Sequence, residues 1–133
     1  MPIFSERSLS KLETCDHRLI KLFKAVILYF DCTVTCGYRN KEAQTSAYNS
    51  GNSEVQYPNS KHNSFPSKAI DCAPYIEGMG VSYDTNQCYY FAGVVIGMAK
   101  LMDIPIRWGG DWDKDNNIHD QTFNDLVHFE IGE

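Results

Sequence analysis

The sequence predicts an α+β protein, a small antiparallel sheet packed against helices. Three observations predict it: runs with apolar residues at helical spacing, short β-type runs placed between them, and two long polar stretches that suit neither. The segments are taken here in chain order.

Residues 8–30 read as a helix. Ser8 and Ser10 offer N-caps, and Leu19, Ile20, Leu22, Phe23, Val26, Ile27 and Phe30 recur at helical spacing. A β-type run follows over Cys32–Tyr38, closed by Gly37, and Asn40 caps a shorter helix reaching about Tyr48. Residues 49–67 are rich in Ser, Asn and Pro and too irregular for helix or strand. Residues 68–75 read as a strand ended by Pro74, and 86–102 as a well-formed helix. A short strand over 104–108 is stopped by Gly109 and Gly110; residues 109–124 are polar and acidic, and 126–131 form a last strand. Loops of this length in a small domain are usually functional or disordered. Here they flank every histidine except His17.

A length of 133 residues fits one domain over 1–133, with no separate binding domain expected. Such a chain buries roughly two-thirds of its unfolded surface. A hydrophobic content of 43% is that of a globular protein, and a net charge of −5 argues against nucleic acid, whose phosphates need a basic face. No segment approaches the ~20 apolar residues of a membrane span, and the N-terminus lacks the basic and apolar regions of a signal peptide. Synthesis in a cytoplasm, as a monomer without membrane insertion, is the expectation. Five cysteines with no C-x-x-C pair fit that compartment as reduced, mostly buried thiols; Cys32 and Cys36 are expected on one strand face.

A catalytic zinc site takes three imidazole or carboxylate ligands and keeps a position open for water. The chain offers His62 late in a polar loop, Asp71 on the strand after it, and Asp125 and His128 at the final strand. These converge if the two strands pair. Positions i and i+3 of a regular strand face opposite sides, so Asp125 and His128 meet one metal only if the strand begins after Asp125. A carboxylate beside the metal suits a general base. Glu130, two residues from His128, competes for that role, and spacing alone leaves the choice open. Trp108, Trp112, Tyr57, Phe65 and Phe129 are candidates to line a cleft or pack beneath the metal. Asp111, Asp113, Asp115 and Asn117 place oxygen side chains at alternate positions, as at the start of a calcium loop, but Asn116 and Thr122 replace its glycine and glutamate.

Ser60-x-His62 with Ala69-x-Asp71, then Asp125-x-x-His128, resembles the D-alanyl-D-alanine carboxypeptidase and L-alanyl-D-glutamate endopeptidase family of zinc peptidases. Gly37-Tyr38-Arg39 with Gln44, and Trp108-Gly109-Gly110-Asp111-Trp112, resemble its phage endolysin members, so the likeness runs from about Gly37 to Glu130. The family's shorter form has six residues between histidine and aspartate; here eight intervene, Asn63 through Ile70.

The resemblance implies one zinc per chain on His62, Asp71 and His128, with Asp125 rather than Glu130 as catalytic base. It implies that Arg39 stabilises the developing oxyanion, that Ser60, Gln44, Trp108 and Asp111 support the site or substrate, and that the fold is that of the hedgehog signalling domain. The function implied is a phage endolysin, made in the host cytoplasm and released to hydrolyse the L-alanyl–D-glutamate bond of peptidoglycan stem peptides. A D-alanyl-D-alanine carboxypeptidase or dipeptidase is the alternative within the class. A non-catalytic, zinc-containing binding module is the alternative outside it.

Overall fold

Two short helices, not one long one, open the chain in the computed structural model, which describes residues 2–132. Helix α1 (Glu6–Leu12) is capped by Ser5, whose hydroxyl accepts from the Ser8 amide, and α2 (His17–Val26) by Asp16, whose carboxylate accepts from the Arg18 amide. The break is held by the loop before the second strand: Asp16 N donates to Ser67 O and Ser67 N to Thr14 O, both at 2.8 Å. Leu12, Leu19, Leu22, Phe23 and Val26 are all buried, so apolar spacing runs across the break and conceals it in the sequence. Ser8 is no cap. Its buried hydroxyl accepts from the Val34 amide at 3.1 Å and ties α1 to the sheet.

The strands are β1 (Cys32–Cys36), β2 (Ala69–Ile76), β3 (Gly80–Val81), β4 (Ile106–Gly109) and β5 (Asp125–Ile131). They form an antiparallel sheet in the order β1-β2-β5-β4, with β3 paired to the far end of β2. Strand β2 runs through Pro74 to Ile76, beyond the stop that the proline suggests, and turns into β3 at Gly78, whose φ of +83° suits glycine. Asn40 caps α3 (Lys41–Asn49), as expected, and Asp84 caps α4 (Thr85–Leu101).

Alternation along β2 and β5 separates core from site. Ile70 pairs with Phe129, and both are fully buried; Phe129 meets Phe23 and Phe91 edge-on at centroid distances of 5.6 and 6.1 Å. One residue on, Asp71 pairs with His128 and faces the opposite side. The sheet is thus backed by an apolar core and presents charged groups on its other face.

Candidate metal centre

His62 is brought to that face by a 3-10 turn over Lys61–Asn63. The Ser60 hydroxyl accepts from the His62 amide at 3.1 Å, and the Asn63 side chain accepts from the Ser60 amide at 3.1 Å. The connection onward to Asp71 docks on the α1–α2 break through Ser67. His62 Nε2 then lies 3.2 Å from Asp71 Oδ1, and His128 Nδ1 lies 3.2 Å from the same oxygen. Asp71, Asp125 and His128 form one group able to hold an ion, and Cys36, His62 and Asp71 form another.

The remaining ring nitrogens are held from behind. His62 Nδ1 donates to Gly37 O at 2.7 Å, and His128 Nε2 donates to Glu130 Oε1 at 2.8 Å. A carbonyl and a carboxylate accept only, so each neutral ring must turn its lone pair toward Asp71 Oδ1. Three electron-rich atoms facing one another need a cation or protons between them. Without a cation, protons take that place. Burial disfavours the His62 imidazolium, but hydrogen bonds to Asp71 and Cys36 outweigh it, and its pKa is pushed up to about 10. His128 is likewise raised, against burial, by Asp71 and Glu130. Asp71, though buried, is held well below the usual carboxylate range by hydrogen bonds from both rings. Two nitrogens and one carboxylate oxygen, each oriented by a neighbour, make a donor set suited to zinc.

Asp125 reaches the same face through an irregularity of β5. Trp108 pairs with Phe129, but the next pair is Gly109 with Asp125, so Leu126–His128 bulge away from β4. Trp108 Nε1 pins that bulge by donating to Leu126 O at 2.8 Å. The expected conflict between i and i+3 is thereby resolved within the strand, not by its starting later: Asp125 Oδ2 lies 4.0 Å from His128 Nδ1. Burial, with the nearby charge of Asp71, pushes the Asp125 carboxyl up to about 6.

Glu130 has a different place. It is 5% exposed and accepts from Arg107 Nε and Nη2 at 3.0 and 2.6 Å, with Lys61 Nζ at 3.3 Å. Burial raises its carboxyl, but His128 and Arg107 outweigh this and hold it at about 2. A carboxylate so committed orients His128 rather than accepting a substrate proton.

Arg39 lies over the cluster. Its Nη1 donates to Gln44 Oε1 at 2.9 Å and its Nη2 to Asp71 Oδ2 at 3.3 Å. Gln44, fully buried, also donates to Val55 O, which ties α3 to the loop after it. Arg39, His62, Asp125 and His128 line a cavity of ≈ 450 Å³ whose wall also includes Asn52–Val55, Asn59–Lys61, Arg107, Trp112, Asp120–Phe123 and Glu130.

The aromatic expectations divide. Trp112 lines the cavity, its ring 5.3 Å from that of His128. Trp108 and Phe129 are buried beneath the sheet, while Tyr57 and Phe65 are exposed outside the cavity. Asp111 does not join the zinc-type cluster. Its carboxylate accepts from the Asp115 and Asn116 amides and gathers with Asp113 and Asp115 in the exposed loop, whereas Asn117 turns its side-chain oxygen to the His119 amide. Asn116 has a φ of +66°, the left-handed conformation for which a calcium loop uses glycine. All five cysteines are free, and four are buried; Cys36 instead places Sγ 3.8 Å from His62 Nδ1, its register shifted from Val34. Cys36, Glu130 as an orienting group, Arg107 and Lys61 had no distinguishing spacing in the sequence.

Two imidazoles and two carboxylates converging on the floor of a cleft are the equipment of a metal-assisted hydrolase. Residues 2–131 match the model of the phage L-alanyl-D-glutamate peptidase family, and the chain belongs to that family. It is a peptidase of the endolysin type. The L-alanyl-D-glutamate peptidase of Escherichia phage T5 is 26% identical over 121 residues, covering 89% of this chain and 87% of that protein. The crystal structure of the L-Ala D-Glu endopeptidase ChiX of Serratia marcescens shares the fold, with a TM-score of 0.76 at 22% identity over 98% of this chain and 90% of that one.

Proposed function

We propose that this chain is a zinc-dependent endolysin, one peptidase domain that acts as a monomer on peptidoglycan stem peptides after release from the host cytoplasm. The observation that carries the reading is the position of Asp71 Oδ1, 3.2 Å from both His62 Nε2 and His128 Nδ1, with the other nitrogen of each ring already engaged. Zinc fits that donor set, held by His62, Asp71 and His128. When bound it supplies a Lewis acid that polarises the scissile carbonyl and acidifies water.

The remaining work falls to the chain's own side chains. Asp125, ionised above a pKa of about 6, accepts the proton of the attacking water and returns it to the departing amine. The carbon–oxygen bond forms first, moving an electron pair onto the carbonyl oxygen, and the carbon–nitrogen bond breaks afterwards as the amine takes the proton, so an acid and an amine result. Arg39, steadied by Gln44, offers its guanidinium to the carbonyl oxygen as charge develops there. Gly37 O and Glu130 keep both imidazoles in the tautomer that faces the cluster. Ser60 fixes the turn that delivers His62.

The test pairs composition with products. One zinc per chain is expected by elemental analysis, lost in His62→Ala and in His128→Ala. Mass spectrometry of digested sacculi is expected to show peptides with a new N-terminal D-glutamate. Release of terminal D-alanine instead would establish the carboxypeptidase alternative, and a zinc-loaded Asp125→Ala protein as active as the parent would overturn the assigned base.

A further inference from the structure

The glutamate after the scissile bond places a demand that Arg39 does not meet. A glutamyl residue has two carboxyl groups beyond its amine, and only one continues a peptide. The other is a free anion at neutral pH. Drawing that anion into a cleft costs free energy unless a cation receives it. Arg39 is held beside the cluster by Gln44 and Asp71 and is assigned above to the developing oxyanion, so a second anion calls for another cation.

A second cationic group lines the same cavity. Arg107 directs Nε and Nη2 to Glu130 Oε2 at 3.0 and 2.6 Å, and Lys61 Nζ approaches the same oxygen at 3.3 Å while donating to Ile131 O. The second Glu130 oxygen is taken by His128. Two full cations therefore share one carboxylate. Their side chains are 39% and 34% exposed against 6% for Glu130, so both cations are more accessible to a ligand than the carboxylate they share. Arg107 Nη1 makes no hydrogen bond among the described residues, and the guanidinium carbon sits 5.6 Å over the Trp112 ring. That cation–π contact helps keep the guanidinium in place beside the cleft. Glu130 lies between this guanidinium and the His128 ring, and all three line the same cavity. The other carboxylates on the cavity wall are Glu54, Asp120 and Asp125.

Resting on the function proposed above, we infer that Arg107, assisted by Lys61, binds the free carboxylate of the substrate's D-glutamate and so selects that residue. The test uses two otherwise identical peptides spanning the L-alanyl–D-glutamate bond, one with the free carboxylate and one with a carboxamide in its place. The zinc-loaded enzyme is expected to prefer the carboxylate by about 10- to 100-fold in kcat/KM, expressed in KM, the worth of a charge-assisted hydrogen bond. In Arg107→Gln that ratio collapses toward one, and Arg107→Lys restores part of it. A ratio near one in the parent, or an undiminished ratio in Arg107→Gln, overturns the inference. Calorimetry of both peptides on the zinc-loaded Asp125→Asn protein reads the same preference without turnover. Failure to cleave either peptide therefore counts against the proposed function, and equal binding of the two counts against Arg107.

Discussion

Glu130 Oε1 accepts a hydrogen bond from His128 Nε2 at 2.8 Å, two residues away on the same strand. That contact takes the proton of Nε2 and leaves the Nδ1 lone pair toward Asp71, so a residue outside the proposed ligand set prepares His128 for a metal. Glu130→Gln keeps the shape but can present an amide to the ring and releases Arg107 and Lys61. Zinc affinity is expected to fall about 10- to 100-fold, measured by chelator competition. Unaltered affinity would show that Glu130 does not set the tautomer.

Asp125 differs from Glu130 in what surrounds it. Burial and the charge of Asp71 raise its carboxyl to about 6, and a raised pKa in a base means that activity is lost as pH falls. The acid limb of kcat/KM is expected at or below about pH 6, since a bound cation can only draw it downward. Asp125→Asn should reduce the rate roughly 10²–10⁴-fold while zinc stays bound. A limb above pH 7, or loss of zinc in the variant, would remove Asp125 from this role.

The residue types of the site were legible because donor chemistry is local. His62, Asp71, Asp125 and His128 are a small set among the titratable groups; strand pairing sets Asp71 beside His128, while the 3-10 turn delivers His62 and the bulge of β5 delivers Asp125. Their second partners were not legible. Position i+2 from His128 serves equally for a ligand, a base or an orienting carboxylate, and only Arg107, from another strand, distinguishes them. Likewise Asn40 announced α3 by its capping chemistry, whereas the break between α1 and α2 lay under uninterrupted apolar spacing and is held by Ser67, more than fifty residues on. Strand β3, two residues long, is too short for any period to show.

Asp16 tests that break. Its carboxylate caps α2 and receives Arg18 Nε at 3.1 Å, and Arg18 holds it below its ordinary pKa of 3.8. Because the folded state binds that proton less readily, the contribution is present above pH 3.8 and drains away as pH falls further. Asp16→Ala should cost about 1 kcal/mol at neutral pH, up to ~2 kcal/mol, by denaturant titration. The difference between variant and parent should shrink in acid; a constant difference from pH 7 to pH 3 would argue for a purely steric role.

Gly109 governs Asp125 from across the bulge. A Cβ at this position would lie 2.1 Å from Asp125 O, 2.9 Å from its carbonyl carbon and 3.0 Å from its Cβ, so two backbones must separate. Overpacking of this kind costs about 1–3 kcal/mol. The larger consequence is functional: displacing the base by about 1 Å is worth roughly 10²-fold in rate. His62 and Asp71 are positioned by the 3-10 turn and β2, across β5 from Gly109, and His128 is fixed by its pairing with Asp71, so one zinc per chain is still expected. Gly109→Ala is thus expected to lower kcat while binding metal normally. Gly97→Ala provides the contrast, since its Cβ would meet nothing within 4 Å on α4 and helix propensity favours alanine by about 0.8–1.0 kcal/mol. Equal activity of the two variants would mean that the close approach of Gly109 to Asp125 does not position the base.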